Sequence, residues 1–134
     1  MIVDSSALLA LVFAEPSAGR IEEAMAGADL LGIGAPTLTE TAVVLASRMG
    51  AESEALLSRL VEGLDLVIVP FTAAHGRAAR EAFLRFGRGR HPAALSFGDC
   101  LTYAIARLAS QPLLFVGDDF SKTDLEAALE SPPL

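Results

Sequence analysis

Four short apolar segments, spread along the chain and separated by longer helix-like stretches, constrain the fold most strongly. They occupy residues 1–3, 30–33, 66–69 and 113–116. Short continuous apolar runs are typical of strands that are buried on both faces, and helices between such strands favour parallel pairing. The alternation therefore predicts an α/β domain with a mainly parallel central sheet flanked by helices on both faces.

The stretches between the apolar segments carry the start, stop and periodicity signals of helices. Their predicted bounds are 5–13, 16–27, 37–49, 51–62, 72–86, 99–109 and, as a short final helix, 124–129. Gly32 and Gly34 are expected to form a bend, residues 87–92 a loop and residues 131–134 a tail. A length of 134 residues suits a single domain, which we expect to span residues 1–134.

Composition and charge bear on location and at first argue against a nucleic-acid partner. With 17 acidic and 10 basic residues the net charge is -7, whereas nucleic-acid binders usually carry surplus Lys and Arg. The longest apolar run, residues 7–14, falls far short of the roughly 20 residues that span a bilayer, so no membrane partner is expected. The single cysteine, Cys100, and an amino terminus without a signal-peptide pattern favour the cytoplasm.

Acidic residues occupy the places where a parallel sheet presents its binding edge. Asp4 directly follows the first apolar segment, and Asp118 and Asp119 follow the last one. Glu40 and Asp99 fall in the first turns of predicted helices that begin near the same edge. Because ligands of such sheets bind at the carboxyl ends of the strands, we expect these carboxylates to face one cleft.

Each of these acids also has an ordinary structural explanation. An acid after a strand fits a simple turn, and an acid three residues after Ser or Thr fits a helix capping box. That spacing occurs in the pairs Thr37–Glu40, Ser96–Asp99 and Ser121–Asp124. The functional interpretation therefore depends on the acids converging in space.

A cluster of four carboxylates requires something to neutralise it. Two like charges about 4 Å apart repel by about 4 kcal/mol at an effective dielectric constant near 20. A hard divalent cation removes this repulsion, and ligation by oxygen alone favours Mg²⁺ or Mn²⁺ over zinc. Such an ion commonly polarises a phosphoryl oxygen and activates a bound water.

Four segments, in the right order and covering nearly the whole chain, resemble the VapC toxins of the PIN-domain ribonucleases. They are the opening MIVDSSALLA, the helix that carries Glu40, FGDCLTYA at 97–104 and LLFVGDDFSKTD at 113–124. Each motif is weakly specific alone, whereas the four together with a matching length are strongly specific. The resemblance implies a PIN-like domain.

The resemblance also implies a metal-dependent endoribonuclease that is the toxin of a type II toxin–antitoxin pair. Its catalytic acids map onto Asp4, Glu40, Asp99 and either Asp118 or Asp119, both of which fit the fourth position. Of these, Asp4 and Asp99 would be the principal ligands of Mg²⁺ or Mn²⁺. The implied partners are RNA, a VapB-like antitoxin that covers the acidic cleft, and a second copy of the chain in a homodimer.

Half of the basic residues lie in one segment that suits RNA phosphates. Five of the 10 fall between residues 77 and 90: Arg77, Arg80, Arg85, Arg88 and Arg90. The alternative is a solvated helix face with ordinary salt bridges. Arg88, Arg90 and the neighbouring His91 are the preferred RNA contacts, because they precede the helix of Asp99, and Ser6 is a further candidate beside Asp4.

Other residues and other protein families offer alternatives to this hypothesis. Cys100 is expected to pack rather than to act as a nucleophile, and Phe97 and Tyr103, which can stack a base, are expected to be buried. A haloacid-dehalogenase-like phosphatase needs a second acid where Ser6 stands. A receiver-like Mg²⁺-binding regulatory module lacks its required Asp and Lys, since Pro70 and Gly117 occupy those places. A non-catalytic PIN fold is the remaining alternative.

Overall fold

The chain folds around a sheet of four parallel strands in the order β3–β2–β1–β4. The computed structural model describes residues 1–129. The strands are β1 (Ile2–Val3), β2 (Gly32–Gly34), β3 (Val67–Val69) and β4 (Leu113–Leu114). The predicted parallel sheet is confirmed, while the end of the predicted domain, including the tail at 131–134, lies outside the described residues.

Helices connect the strands and lie close to their predicted positions. They are α1 (Ser5–Val12), α2 (Ala18–Ala26), α3 (Ala35–Met49), α4 (Ser53–Gly63), α5 (Ala73–Phe86) and α6 (Phe97–Ala109). Short 3-10 helices occupy Gly50–Glu52 and Phe120–Lys122. In the described part of the chain, no helix is both long enough and apolar enough to cross a membrane.

Two hydrophobic clusters show that helices cover both faces of the sheet. One cluster joins residues of α5 and α6 to Ile2 and Leu113. The other joins residues of α1 and α2 to Val3, Ile33 and Leu114. Because successive strand residues point to opposite faces, neighbours such as Ile2 and Val3 belong to different clusters. The predicted two-sided packing is confirmed.

The strand order reverses at β1, and this reversal determines where a ligand can bind. From β1 the chain adds β2 and then β3 on one side, whereas β4 pairs with the other side of β1. In open α/β sheets such a reversal leaves a crevice at the carboxyl ends of the strands. Asp4 directly follows β1 and therefore lies at this crevice.

The two glycines of β2 allow close packing against the strand. A Cβ atom at Gly34 would come within 2.6 Å of Ile105 Cγ1, and one at Gly32 within 3.0 Å of Ile2 Cδ1. Glycine is therefore needed at both positions, because any side chain there would collide with these close neighbours. The predicted bend at these glycines is wrong, and the strand predicted at 30–33 begins later, which leaves Leu30 exposed.

The predicted final helix at 124–129 is wrong, because its polar groups bond to other elements. Leu113 N donates a 2.9 Å hydrogen bond to the carbonyl oxygen of Glu126, so the segment runs beside β4. Asp124, predicted as a helix-start acid, instead accepts a 2.6 Å hydrogen bond from the Tyr103 hydroxyl. These contacts replace the internal hydrogen bonds of a helix.

Replacing Asp124 with Ala should destabilise the fold by about 1–3 kcal/mol, because the buried Tyr103 hydroxyl loses its acceptor. Burial opposes the charged carboxylate, but the Tyr103 bond and the charges of Arg85 and Arg107 outweigh it and hold the pKa of Asp124 below 3.8. A lowered folded-state pKa stabilises at neutral pH, and this benefit is lost as the pH falls through that pKa.

Thermal unfolding across pH tests this prediction. The difference in Tm between wild type and Asp124→Ala should be largest near pH 7 and should narrow below about pH 4. Tyr103→Phe is the matched control, which should cost less because Asp124 keeps both arginines. A difference in Tm that does not change with pH would contradict the role given to the Asp124 charge.

Candidate active site

Asp4 is the buried centre of the site. It caps the amino terminus of α1, where its Oδ2 accepts hydrogen bonds from Ser6 N at 3.1 Å and Ser6 Oγ at 2.6 Å. Burial raises the pKa of the Asp4 carboxyl, hydrogen bonds from Ser6 and Thr102 lower it in part, and the charge of Asp99 raises it again. The pKa remains above its ordinary value, so the charge of Asp4 is unfavourable where it stands.

Asp99 lies on α6, close enough to Asp4 for its charge to act there. Its Oδ2 accepts a 2.9 Å hydrogen bond from Ser96 N, and Asp99 N donates to Ser96 Oγ at 3.2 Å. The capping box predicted for this pair is confirmed. Thr102, one turn further along the same face of α6, lies close enough to Asp4 to lower the pKa of its carboxyl, and it was not predicted from the sequence. Its spacing from Asp99 is the signal that identifies it.

Glu40 reaches the crevice from α3, although the capping box predicted with Thr37 is wrong. The helix begins two residues before Thr37, whose hydroxyl bonds to that of Thr102 at 2.9 Å. Ser5 Oγ donates a 2.9 Å hydrogen bond to Glu40 Oε1. The second carboxylate oxygen, Oε2, lies against Gly98, where an added Cβ would overlap it.

The structure thus brings three of the predicted acids together through their chain neighbours. Ser5, which adjoins Asp4, holds Glu40 by a hydrogen bond. Gly98, which adjoins Asp99, packs against the same Glu40 carboxylate. Neither Ser5 nor Gly98 was predicted to take part, since their contacts join segments that are distant in sequence.

Asp118 and Asp119 are exposed in the loop after β4. This loop starts at the crevice, because Val116 N donates a 3.0 Å hydrogen bond to Ser6 Oγ. The Ser6 hydroxyl, predicted to contact RNA, is therefore occupied on both sides, by Val116 and by Asp4. Within residues 1–129 the carboxylates of Asp118 and Asp119 form no ion pair, and the choice between them stays a prediction.

Comparison with known proteins places this chain in a family. The PIN domain family model matches residues 1–126. The chain is also 50% identical over 127 residues to Ribonuclease VapC36 of Mycobacterium tuberculosis, with 94% of this chain and 91% of that protein covered. The chain belongs to the PIN domain family, among the VapC ribonucleases. This PIN domain is therefore neither a phosphatase of the haloacid-dehalogenase type nor a receiver module.

Solved structures share the PIN fold at lower sequence identity. VapC20 of Mycobacterium tuberculosis, described as a sarcin-ricin loop cleaving toxin, matches with a TM-score of 0.75 at 20% identity, covering 92% of this chain and 95% of that one. VapBC2 of Rickettsia felis, bound to a DNA fragment from its promoter, matches with a TM-score of 0.71 at 13% identity, covering 90% of each chain. These likenesses support the fold.

The donor set of this PIN domain fits a hard divalent cation. VapC nucleases are generally metal-dependent. Mg²⁺ usually keeps several water ligands and binds one or two carboxylates, and Asp4 with Asp99 offers two. Arg85 and Arg107 form their salt bridges with Asp124 and not with these acids. Among residues 1–129 no group of three or more His, Cys, Asp or Glu side chains is placed to hold a metal ion.

The loop before α6 presents arginines, whereas its histidine organises the loop. Arg88 and Arg90 are exposed, and the Arg90 guanidinium carbon lies 5.7 Å from the centre of the Phe83 ring. His91 Nδ1 accepts a 3.0 Å hydrogen bond from Ala93 N. The two arginines are thus available for phosphates, while one nitrogen of His91 is used within the loop.

The burial expected from the sequence is found for Cys100 and Tyr103 but not for Phe97. Burial and the nearby charge of Asp99 raise the pKa of Cys100 to about 11, which disfavours a nucleophilic thiolate and agrees with the expected packing role. Burial and the hydrogen bond to Asp124 raise the pKa of Tyr103 to about 12, and Tyr103 is buried as expected. The burial predicted for Phe97 is wrong, because its side chain is 79% exposed at the start of α6.

Proposed function

We propose that this PIN domain is a metal-dependent endoribonuclease, the toxin of a type II toxin–antitoxin pair, which hydrolyses RNA at Asp4, Glu40 and Asp99. The observation that carries the proposal is the position of the Asp4 carboxyl in the crevice at β1, where burial and, to a smaller extent, the charge of Asp99 raise its pKa. Perturbed carboxyl groups in clefts are typical of functional sites. The 50% sequence identity to Ribonuclease VapC36 supports the same activity for this chain.

Asp4 and Asp99 would hold Mg²⁺ or Mn²⁺, and the bound ion would polarise a phosphoryl oxygen and increase the acidity of a coordinated water. Ser6 fixes the Asp4 carboxylate through two hydrogen bonds to Oδ2. The capping box fixes Asp99 in the same way at the start of α6. Both ligands are therefore oriented before the ion arrives, which reduces the cost of ordering them.

Glu40 is suited to orient the attacking water and to accept its proton. Its carboxylate is exposed, and Ser5 holds Oε1 while Oε2 remains without a hydrogen bond among the described residues. In-line attack on phosphorus would leave a 3′-hydroxyl and a 5′-phosphate. Asp118 or Asp119 would supply the fourth acid from the loop that Ser6 attaches to the crevice.

The partners belonging to this proposal are RNA, a VapB-like antitoxin and a second copy of the chain, all in the cytoplasm. The Rickettsia structure is a VapBC complex, which supports an antitoxin for this chain as well. A net charge of -7 favours a basic partner segment, and a basic side chain entering the acidic crevice would offset the buried charge of Asp4.

Incubation of the purified protein with structured RNA tests the proposed activity. Cleavage should require added Mg²⁺ or Mn²⁺, should stop in EDTA, and should leave 5′-phosphates that sequencing of the RNA ends detects. A small antitoxin protein that presents a basic segment should co-purify with the toxin and inhibit cleavage. Absence of cleavage with either ion would favour a non-catalytic PIN fold.

A further inference from the structure

Two buried threonine hydroxyl groups join the helices that carry Glu40 and Asp99. Thr37 Oγ1 on α3 and Thr102 Oγ1 on α6 lie 2.9 Å apart and share a hydrogen bond, and the two residues are 4% and 1% exposed. Thr37 precedes Glu40 by three residues on α3. Thr102 follows Asp99 by three residues on α6, so each threonine lies about one helical turn from an acid of the candidate site. We call Thr37 and Thr102 the threonine pair.

The threonine pair uses its hydroxyl hydrogens differently from the other threonines of α3. Thr39 and Thr41 donate theirs to main-chain carbonyl oxygens one turn earlier, at 3.0 and 2.9 Å. Thr37 and Thr102 instead bond side chain to side chain across the two helices. Two hydroxyl groups have two hydrogens between them, and the bond within the pair uses one. The second hydrogen is therefore left for a third group.

The Asp4 carboxyl is the group that suits this second hydrogen. Thr102 lies close enough to Asp4 to lower the pKa of its carboxyl, which is the effect of a donor on a charged acceptor. An ionised carboxylate only accepts hydrogen bonds, so Thr102 has to donate to Asp4 and to accept from Thr37. The order from Thr37 through Thr102 to Asp4 forms a polarised chain in which the first bond strengthens the second.

We propose that Thr102 is a positioning residue for Asp4 as a metal ligand, and that Thr37 acts through Thr102 by fixing the direction of its hydroxyl group. The inference rests on the proposed metal-dependent function and adds two residues that contact neither the ion nor the RNA. Groups that hydrogen-bond to a metal ligand orient it, and their loss typically lowers metal affinity about 10- to 100-fold. The same bond joins α3 to α6 and so also holds Glu40 relative to Asp99.

Valine substitutions separate positioning from stability. Valine has nearly the shape of threonine but no hydroxyl group, so the double variant Thr37→Val/Thr102→Val removes both partners of the bond at once. Replacing both partners costs little stability, whereas a single replacement leaves the other buried hydroxyl without its partner. The double variant should therefore unfold in EDTA at nearly the wild-type temperature, and yet should bind Mn²⁺ about 10- to 100-fold more weakly.

The electron paramagnetic resonance signal of free Mn²⁺ measures binding directly, at a temperature where circular dichroism shows every variant folded. Asp4→Asn gives the background of ions bound elsewhere on the acidic surface. Thr102→Ser keeps the hydroxyl group and should bind Mn²⁺ like wild type, whereas Thr37→Val should weaken binding and should add little to Thr102→Val. The matched control is Thr41→Val, which should keep the wild-type affinity, because the buried Thr41 hydroxyl bonds to a main-chain carbonyl.

Three outcomes would overturn the inference, and they differ from failure of the proposed function. Wild-type affinity for Mn²⁺ in the folded double variant would leave the threonine pair with a structural role alone. Weakening by Thr102→Ser as large as that by Thr102→Val would show that the hydroxyl group is not responsible. Unchanged affinity in Thr37→Val would remove Thr37 from the chain of bonds. Failure of the wild type to bind Mn²⁺ above the Asp4→Asn background would instead reject the metal site and the function proposed for it.

Discussion

Asp4→Asn should lower RNA cleavage by at least about a hundredfold while leaving the fold no less stable than wild type. A metal ligand supports several kcal/mol of transition-state stabilisation, and each 1.4 kcal/mol corresponds to about tenfold in rate. Stability should persist because the Asn oxygen can still accept the Ser6 hydrogen bonds. The substitution also removes a charge that burial makes unfavourable.

Thermal unfolding with and without Mn²⁺ separates the two effects. A ligand that binds only the folded state raises Tm by mass action, so Mn²⁺ should stabilise wild type but not Asp4→Asn. Asp99→Asn should lose cleavage as well. The control is Asp29→Asn, an exposed acid before β2 at the other end of the sheet, which should keep both responses. Wild-type cleavage by Asp4→Asn would remove Asp4 from the catalytic site.

Gly98→Ala should lower cleavage by about a hundredfold, although Gly98 is not itself a proposed catalytic residue. The new Cβ would overlap Glu40 Oε2, and the carboxylate would have to move away from its place beside Ser5. Displacing a catalytic group by about 1 Å can cost about a hundredfold in rate. The fold should change little, because Glu40 is an exposed, flexible side chain that can rotate into solvent.

Two comparisons establish whether the effect acts through Glu40. Gly19→Ala on α2, where an added Cβ meets nothing within 4 Å, should leave cleavage unchanged. Glu40→Ala should be impaired, and Gly98→Ala should add little to it, because both changes act on the same carboxylate. A full additional loss in the double variant would show that Gly98 matters for another reason.

The sheet was predictable from the sequence because strands buried on both faces are continuous apolar runs. Local patterns failed where distant contacts decide the structure. The segment 124–129 has a helix-compatible pattern, yet Tyr103 and the edge at Leu113 provide partners that a local reading does not include. Similarly, Gly34 lies in β2 and allows Ile105 to approach the strand. This contact depends on how α6 packs against the sheet, which the local sequence around Gly34 does not show.

The acids of the candidate site were predictable by position, but the means of holding them was not. Spacing alone matched Glu40 to a capping box with Thr37. The match is wrong because the helix begins before Thr37, with Pro36 in its first turn. The hydrogen bond that holds Glu40 comes from Ser5, 35 residues away in sequence. The exposure of Phe97 likewise depends on how α3, α5 and α6 pack around it, which the local sequence does not reveal.

The hydrogen bonds of Ser6 connect the Asp4 carboxylate to the main-chain amide of Val116. Val116 N–H donates to the Ser6 hydroxyl, and that hydroxyl donates to Asp4, so the three groups form one polarised chain. Any change at the Asp4 carboxylate is transmitted along this chain to a main-chain amide. We therefore expect the chemical shift and the hydrogen-exchange rate of the Val116 amide to change with the charge of the Asp4 carboxylate, without any substrate bound.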